Sequence, residues 1–208
     1  MVFLGGVVQP GDHGLTLVSQ SWTVNQTTSG PLALALKGDF TKDISVPKPV
    51  YCIVAVAQNG IIGRGGRLPW NIPEDIEWFM DQTEGGVMIE GPHCYKELSK
   101  ALEGRGTVVI SRQTEKIFPG AERASDLAEA LRVAQAMPWT GPIWITGGER
   151  IYAEGLAHCE KLYITRIHRN FEGDRKFPSD WPSQFKRLTW SKDGTFDGLN
   201  YTFEIWER

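Results

Sequence analysis

Two stretches of this 208-residue chain carry residue types that could bind or transform a small molecule. The first is GRLPWNIPEDIEWF, residues 66–79. Asp75 falls in the first turn of a predicted helix, with Ile76, Trp78 and Phe79 nearby. A carboxyl group set between a Gly-rich loop and an apolar wall loses hydration, and its pKa rises. It can then serve as a proton donor or as a hydrogen-bond partner for a buried heterocycle. An acidic first-turn residue also stabilises the helix dipole, so residue type leaves both readings open. The second stretch is WITGGERIY, residues 144–152. Gly147 and Gly148 turn a strand into a helix, where the backbone can approach a ligand and free N–H groups can receive a phosphate. A Gly pair at such a place is equally an ordinary tight turn. The spacing is not G-x-G-x-x-G and no acidic residue follows at the usual distance, so a Rossmann dinucleotide-binding domain is not supported. Both stretches sit at the carboxyl ends of predicted strands, where open α/β sheets bind their ligands.

The elements that must hold these residues follow from periodicity. VYCIVAVA (50–57) is the continuous apolar run of a buried strand. QNGIIGRGGRLPWN follows as a loop with four Gly. Pro73 opens a helix over 73–82, because its missing N–H is no loss in a first turn. That helix carries Ile76, Phe79 and Met80 on one face and Glu74 and Asp75 in its first turn. GVMIE (86–90), TVVIS (107–111) and PIWIT (142–146) read as strands. HCYKELSKAL (93–102), SDLAEALRVAQAM (125–137) and GGERIYAEGL (147–156) read as helices. The 125–137 helix starts at a Ser125 N-cap and spaces Leu127, Ala130, Leu131 and Ala134 along one face. EKLYITRIH (160–168), FKRLTW (185–190) and NYTFEIWE (200–207) read as strands, the last two forming a hairpin joined by SKDGTFDGL. This alternation predicts a single-domain α/β fold: a mostly parallel central sheet with an antiparallel C-terminal strand, flanked by helices.

Composition narrows the function classes. Hydrophobic residues are 41% and charged residues 23%, the usage of a globular chain and not of a disordered one. The net charge is −3, so the basic surplus of a nucleic-acid binder is absent. Six of the 47 charged side chains fall in the first fifty residues, which are rich in Gly, Ser, Thr, Gln and Pro. Residues 1–49 therefore read as a poorly ordered N-terminal extension ending in the linker-like SVPKP, and the domain is expected over 50–208. The extension reads either as a real arm or as residues preceding the native start. Cys52, Cys94 and Cys159 include no C-x-x-C pair, and their number is odd. Reduced thiols in the cytoplasm are the expectation, with neither a disulfide framework nor a zinc site. The four His residues show no metal-ligand spacing, so no metal is expected. No apolar run reaches the roughly 20 residues that span a bilayer. The start lacks the basic region of a secretory signal and the Arg-rich pattern of a transit peptide, so neither is expected.

The run IVAVAQNGIIGRGGRLPWNIPEDIEWF (53–79) resembles the start of dihydrofolate reductases. The resemblance continues in GRGTVVISRQ (104–113), WITGGERIY (144–152), KLYITRI (161–167), FEGDRKFP (171–178) and YTFEIWER (201–208), all in the family's order. It implies an NADPH-dependent reduction of 7,8-dihydrofolate to tetrahydrofolate by a cytoplasmic monomer whose partner is the small-molecule substrate. Hydride passes to pterin C6 and N5 gains a proton. Asp75 matches the family's pterin-pocket acid, which holds the 2-amino and N3 edge and promotes protonation of N5. Addition to an imine is easier once it is protonated, and a bidentate carboxylate orients the ring. Trp70 is implied to position a water at that carboxylate, and Thr165 to support the same network. Ile53, Val54 and Ala55 would line the pterin, with Ile53 and Thr146 offering carbonyls. Phe79, Leu98 and Leu102 would form the walls, Tyr152 would reach the substrate, and Arg105 would grip the glutamate-tail carboxylate. The cofactor would lie across Ala55, Ile62, Gly63 and Leu68. It would continue over Gly147, Gly148, Glu149, Arg150, Ile151 and Tyr152, with a cis Gly–Gly bond. Gly91, His93, Cys94, Ser111 and Arg112 complete the implied cofactor set, and the 58–68 loop would act as a lid.

Met88 to Tyr95 depart from the family pattern. Glu90 stands where an apolar residue is usual. Pro92 replaces a basic residue, and Cys94 replaces a Thr that meets the pyrophosphate. Tyr95 replaces Trp. Thr146 also stands at a usually apolar position. NADPH is expected because Arg112 matches a common 2′-phosphate contact, with weaker affinity or tolerance of NADH as the consequence of the lost groups. Two other readings compete. One is the pyrimidine reductase of riboflavin synthesis, which leaves the PWN-x-P-x-D helix and Arg105 unexplained. The other is a catalytically weak pterin- or nucleotide-binding protein.

Overall fold

Val50–Ala57 forms β1, and its apolar run is covered because strands pair with both of its edges. The computed structural model describes residues 46–98 and 100–208. After β1 come β2 (Ile61–Gly63), α1 (Pro73–Thr83), β3 (Val87–Glu90), α2 (Pro92–Glu97), β4 (Gly106–Ile110), β5 (Glu122–Ala124) and α3 (Leu127–Ala136). The chain continues through β6 (Ile143–Gly147), α4 (Glu149–Gly155), a 3-10 turn (Leu156–His158), β7 (Lys161–Ile167), β8 (Arg175–Lys176), α5 (Trp181–Gln184), β9 (Arg187–Phe196) and β10 (Leu199–Glu207). Eight strands form one sheet in the order β5-β4-β3-β6-β1-β7-β10-β9. The pairs from β5 through to β7 are parallel, whereas β10 is antiparallel to both β7 and β9. The expected fold class is what the structure shows, with two antiparallel strands at that edge.

Side chains alternate across the buried strands, as the period of two requires. Cys52, Val54 and Val56, Val87 and Ile89, Val108 and Ile110, Ile143 and Ile145 share one core with Leu127, Ala130 and Ala134 of α3 and Ile151 of α4. The alternate positions face the opposite side. There Trp70, Ile72, Ala57, Ile167, Tyr201 and Phe203 form a second core beside α1. The carboxyl ends of β1, β3, β4, β6 and β7 therefore share one edge of the sheet, and the loops leaving that edge carry the candidate residues.

Several local expectations are corrected. The helix read over 93–102 is α2, six residues from Pro92 to Glu97. Only Tyr95 in it is buried, so it has no apolar stripe to extend. The N-cap of α3 is Asp126, whose carboxylate accepts from the Glu129 N–H at 2.9 Å. Ser125 instead donates to the Glu129 carboxylate at 2.7–2.8 Å, so the N-cap lies one residue later than expected. The long connection read between the last strands is a two-residue turn. Asp197 and Gly198 both hold positive φ (48° and 68°), the conformation that joins twisted strands tightly. β9 thus runs ten residues, through the polar SKDGT stretch.

The extension read over 1–49 lies outside the described residues except for 46–49. Lys48 and Pro49 belong to the folded unit. The Lys48 ammonium donates to the carbonyls of Ala134 (3.0 Å), Gln135 (2.7 Å) and Met137 (2.9 Å), satisfying the open end of α3. The Lys48 backbone exchanges two bonds with the Gln135 amide, and the Pro49 carbonyl accepts from Ile143 N. Among the described residues, no helix is long and apolar enough to cross a membrane.

Candidate active site

α1 begins without a side-chain cap, because Ile72 occupies the N-cap and Pro73 follows it. Its packing is inverted relative to an ordinary amphipathic helix. The buried positions are Asp75 and Thr83, while Ile76 of the predicted apolar face is 53% exposed. Phe79 and Met80 are half-buried, and Leu68 in the loop before α1 is exposed. An apolar wall left open beside a buried acid is the composition of a ligand cleft rather than of a core.

The sheet side of that cleft is polar at one point. Thr165, 2% exposed, stands beside the Asp75 carboxyl group. Burial pushes the Asp75 pKa up to about 6, and Thr165 opposes part of that rise. Ile53 and Ala55 project from β1 on the same face as Thr165, in register with Tyr163 and Thr165 of β7. Val54 does not. Its side chain packs in the opposite core, so only its backbone borders the cleft, which corrects the expectation that it lines the site.

Tyr152 ties three elements together at the centre. Its hydroxyl lies 2.9 Å from the Ile53 carbonyl oxygen and 2.8 Å from the Thr146 carbonyl oxygen. One phenol has one proton, so it is shared, and each carbonyl keeps acceptor capacity toward the cleft. Burial pushes the phenol well above its usual range, so it stays a donor. Thr146 donates in turn to the Ile89 carbonyl at 3.2 Å.

The Gly-rich turn is shaped for backbone approach. The Gly147–Gly148 peptide is cis, as the resemblance implied, and Gly147 holds φ +111°. A Cβ on Gly147 would meet the Tyr152 ring at 2.8 Å. Gly148 faces the Cys94 sulfur and Gly91 faces Ile151 and Gly148, with room for no more than ordinary contact. Gly91 N donates to Gly147 O at 2.8 Å, which holds the two turns side by side. The first turns of α2 and α4 lack side-chain caps, so their N–H groups are open to an anionic ligand. Cys94 stays a neutral thiol. Burial, with Glu90 and Glu97 adding to it, pushes its pKa up to about 12.

Glu90 is 1% exposed. Its pKa is pushed up to about 8 by burial alone, with no cation to offset it. It lies opposite Gly147 in the β3–β6 register and on the cleft-facing side of the sheet. A carboxyl so placed is mostly protonated at neutral pH, which makes it the nearest polar substitute for the usual apolar residue.

Arg105 is buried against the end of α1. Its guanidinium donates to Met80 O (3.0 Å), Glu103 O (3.2 Å) and the Thr83 hydroxyl. These bonds use Nε and Nη1 and leave Nη2 for an anion. Leu98 and Leu102, between α2 and Arg105, are half-buried. The loop after β2 is held from two sides: Leu68 N donates to Glu97 at 3.3 Å, and Gly65 N to Asp174 at 3.2 Å.

Not every expected residue converges. Arg150 pairs with Glu154 along α4 at 2.7 Å, and Glu149 accepts from Lys176 N at 3.3 Å. Arg112 and His93 are exposed at the outer end of the sheet edge, with Ser111 buried beside Arg112. Arg123 was missed. Its guanidinium donates to the Ser111 carbonyl at 3.0 Å and so stands next to the Ser111–Arg112 turn. Alternation in a three-residue strand was too short a signal to find it.

Comparison with known proteins agrees with this geometry. A family model described as dihydrofolate reductase matches residues 49–208. Dihydrofolate reductase of Bacillus subtilis is 32% identical over 161 residues, covering 75% of this chain and 92% of that protein. The Staphylococcus haemolyticus protein of that name is 32% identical over 162 residues, covering 76% and 95%. Among solved structures, dihydrofolate reductase from Enterococcus faecalis complexed with NADP(H) and RAB-propyl superposes with a TM-score of 0.70 at 27% identity, covering 77% of this chain and 96% of that one.

Proposed function

Because this chain belongs to the dihydrofolate reductase family, and so reduces 7,8-dihydrofolate to tetrahydrofolate with NADPH, we propose that Asp75 is the residue on which that reaction turns. The observation that carries this reading is a buried carboxyl, raised to about 6, on a helix whose apolar Ile76 is left open beside it. It pairs with the 2-amino and N3 edge of the pterin and favours protonation of N5. Thr165 fixes the orientation of the carboxyl. The Trp70 indole N–H, buried and without a protein acceptor, supplies a donor to the same network. Ile53, Ala55 and Thr146 border the ring, Phe79, Leu98 and Leu102 hold the benzoyl group, and Arg105 Nη2 takes the tail carboxylate.

NADPH, when bound, supplies the hydride delivered to pterin C6. The residues present fit it: the uncapped first turns of α2 and α4 lie side by side through the Gly91–Gly147 bond, and a Cβ on Gly147 would strike Tyr152. Gly91, Cys94, Gly147, Gly148 and Ile151 hold the diphosphate and ribose region. Ala55 on β1 and Ile62, Gly63 and Leu68 of the 58–68 segment would cover the nicotinamide, and that segment would exclude water. Ser111 and Arg112 hold the 2′-phosphate. Glu149 and Arg150 contribute through their backbone, since both side chains are engaged elsewhere. We further propose that the protein acts in the cytoplasm, a reading that three free thiols support, and that it acts as a monomer, with residues before the matched region forming an appendage to the catalytic unit.

The test is to mix the full chain with dihydrofolate and follow oxidation of NADPH and of NADH in parallel. Rapid oxidation with NADPH, slower with NADH, supports the reading. Tight binding of dihydrofolate without oxidation supports a binding protein instead.

A further inference from the structure

Glu74 and Asp75 are adjacent in the first turn of α1, yet their carboxyl groups reach different strands. The Asp75 carboxyl stands beside Thr165 on β7. Glu74 accepts from the Tyr201 hydroxyl on β10 at 2.5 Å, although 127 residues separate them. The two strands are paired, with Phe203 opposite Thr165 and Tyr201 opposite Ile167. All four side chains stand on the α1 side of the sheet. The helix start is thus fastened to the sheet through Glu74, one residue from the Asp75 carboxyl that faces the same surface.

The fastening matters because α1 lacks the usual means of fixing its start. Ile72 offers no capping oxygen, and Pro73 fixes one φ angle but not the helix position. Tyr201, by contrast, is immobile. It is 1% exposed and belongs to the core that contains Trp70 and Ile72. Its ring packs edge-on to Phe203 with centroids 5.3 Å apart. On its other side it covers Gly194 so closely that a Cβ there would lie 2.3 Å from the ring. Burial and the Glu74 bond push the phenol up to about 12, so it remains a donor across the working pH range.

We propose that Tyr201 is a positioning residue for the reduction, acting through Glu74 to set the placement of Asp75 against the pterin. The proposal rests on the reading of Asp75 given above. A displacement of about 1 Å at a reacting group can lower a rate by up to about a hundredfold, so a hydrogen bond that sets the helix start is worth a measurable factor.

The experiment compares Tyr201→Phe, Glu74→Ala, Glu74→Gln and the double variant Tyr201→Phe/Glu74→Ala in the full chain, with NADPH and dihydrofolate. We expect Tyr201→Phe and Glu74→Ala each to lower kcat about tenfold with the KM for NADPH unchanged. The double variant should be no worse than either single one. Glu74→Gln should keep most of the activity, because its amide oxygen still accepts from Tyr201. Should Tyr201→Phe fold poorly, the Glu74 pair decides alone, since Glu74 is exposed and its replacement disturbs no core. Wild-type kcat in Glu74→Ala, or losses that multiply in the double variant, would overturn the proposal. Near-normal turnover of Asp75→Asn instead removes the Asp75 reading itself, which separates the two failures.

Discussion

The Tyr152 hydroxyl lies 2.9 Å from the Ile53 carbonyl oxygen, joining the first turn of α4 to the middle of β1. The same proton is shared with Thr146 O, so one side chain sets the spacing of two strands at the cleft floor. Tyr152→Phe leaves two buried carbonyls short of a donor. The expected result is a stability loss of about 1–3 kcal/mol, read by denaturant unfolding, with a raised KM for dihydrofolate. An unchanged unfolding midpoint would show that the hydroxyl carries no structural role.

Glu90 makes stability depend on pH in a direction unusual for a carboxyl group. Its folded pKa, about 8, lies above the ordinary value of 4.5. The folded state therefore binds the proton more tightly than the unfolded one. Stability is fully present below about pH 4.5 and is lost as pH rises through 8. Asp75, raised to about 6, adds to the same slope at lower pH. Glu90→Met should raise the Tm strongly at pH 8 and little at pH 4.5, the difference being on the order of 3–5 kcal/mol. Equal gains at both pH values would contradict a buried titrating group.

We propose Arg112 as the residue that holds the 2′-phosphate distinguishing NADPH from NADH. Arg112→Ala should weaken NADPH about tenfold or more while changing NADH little, measured as Kd by fluorescence titration. Equal losses for both cofactors would remove the assignment. Arg123, whose guanidinium adjoins the same turn, is the natural second variant in that experiment.

Lys48 is bonded into the folded unit two residues before β1 begins. Its ammonium meets three carbonyls at the end of α3. Lys48→Ala should lower stability by about 1 kcal/mol without altering kcat. A truncation that keeps Lys48 should match the full chain in Tm, whereas one that starts at Pro49 should not.

Residues whose neighbours in sequence are also their neighbours in space were the readable ones. β1 announces itself as eight residues of continuous apolar run, and the Gly147–Gly148 turn lies in the strand-to-helix stretch that singled it out. Asp75 was visible because the Gly-rich loop, the Pro and the aromatic residues around it are local. Three features were not fully readable for a stated reason. Ile76 looked like core because helical spacing cannot tell an apolar face turned to a sheet from one turned to a ligand cleft. The β9–β10 hairpin was legible but its connection was read too long, because the polar residues of β9 suit an exposed edge strand as well as a loop. Tyr201 and Glu74 meet across 127 residues, and only the β7–β10 register brings them together.

The central claim is that Asp75 is needed to protonate the pterin. It is tested most directly by the rate of NADPH oxidation with saturating dihydrofolate, measured against pH in the native chain and in Asp75→Asn. The native profile should fall as pH rises through an apparent pKa near 6, the value to which burial lifts the carboxyl. Asp75→Asn should fold normally, lose about a hundredfold or more of the rate at pH 7, and recover part of it at low pH where the substrate arrives already protonated. A folded Asp75→Asn protein with near-native turnover at pH 7 would contradict the account.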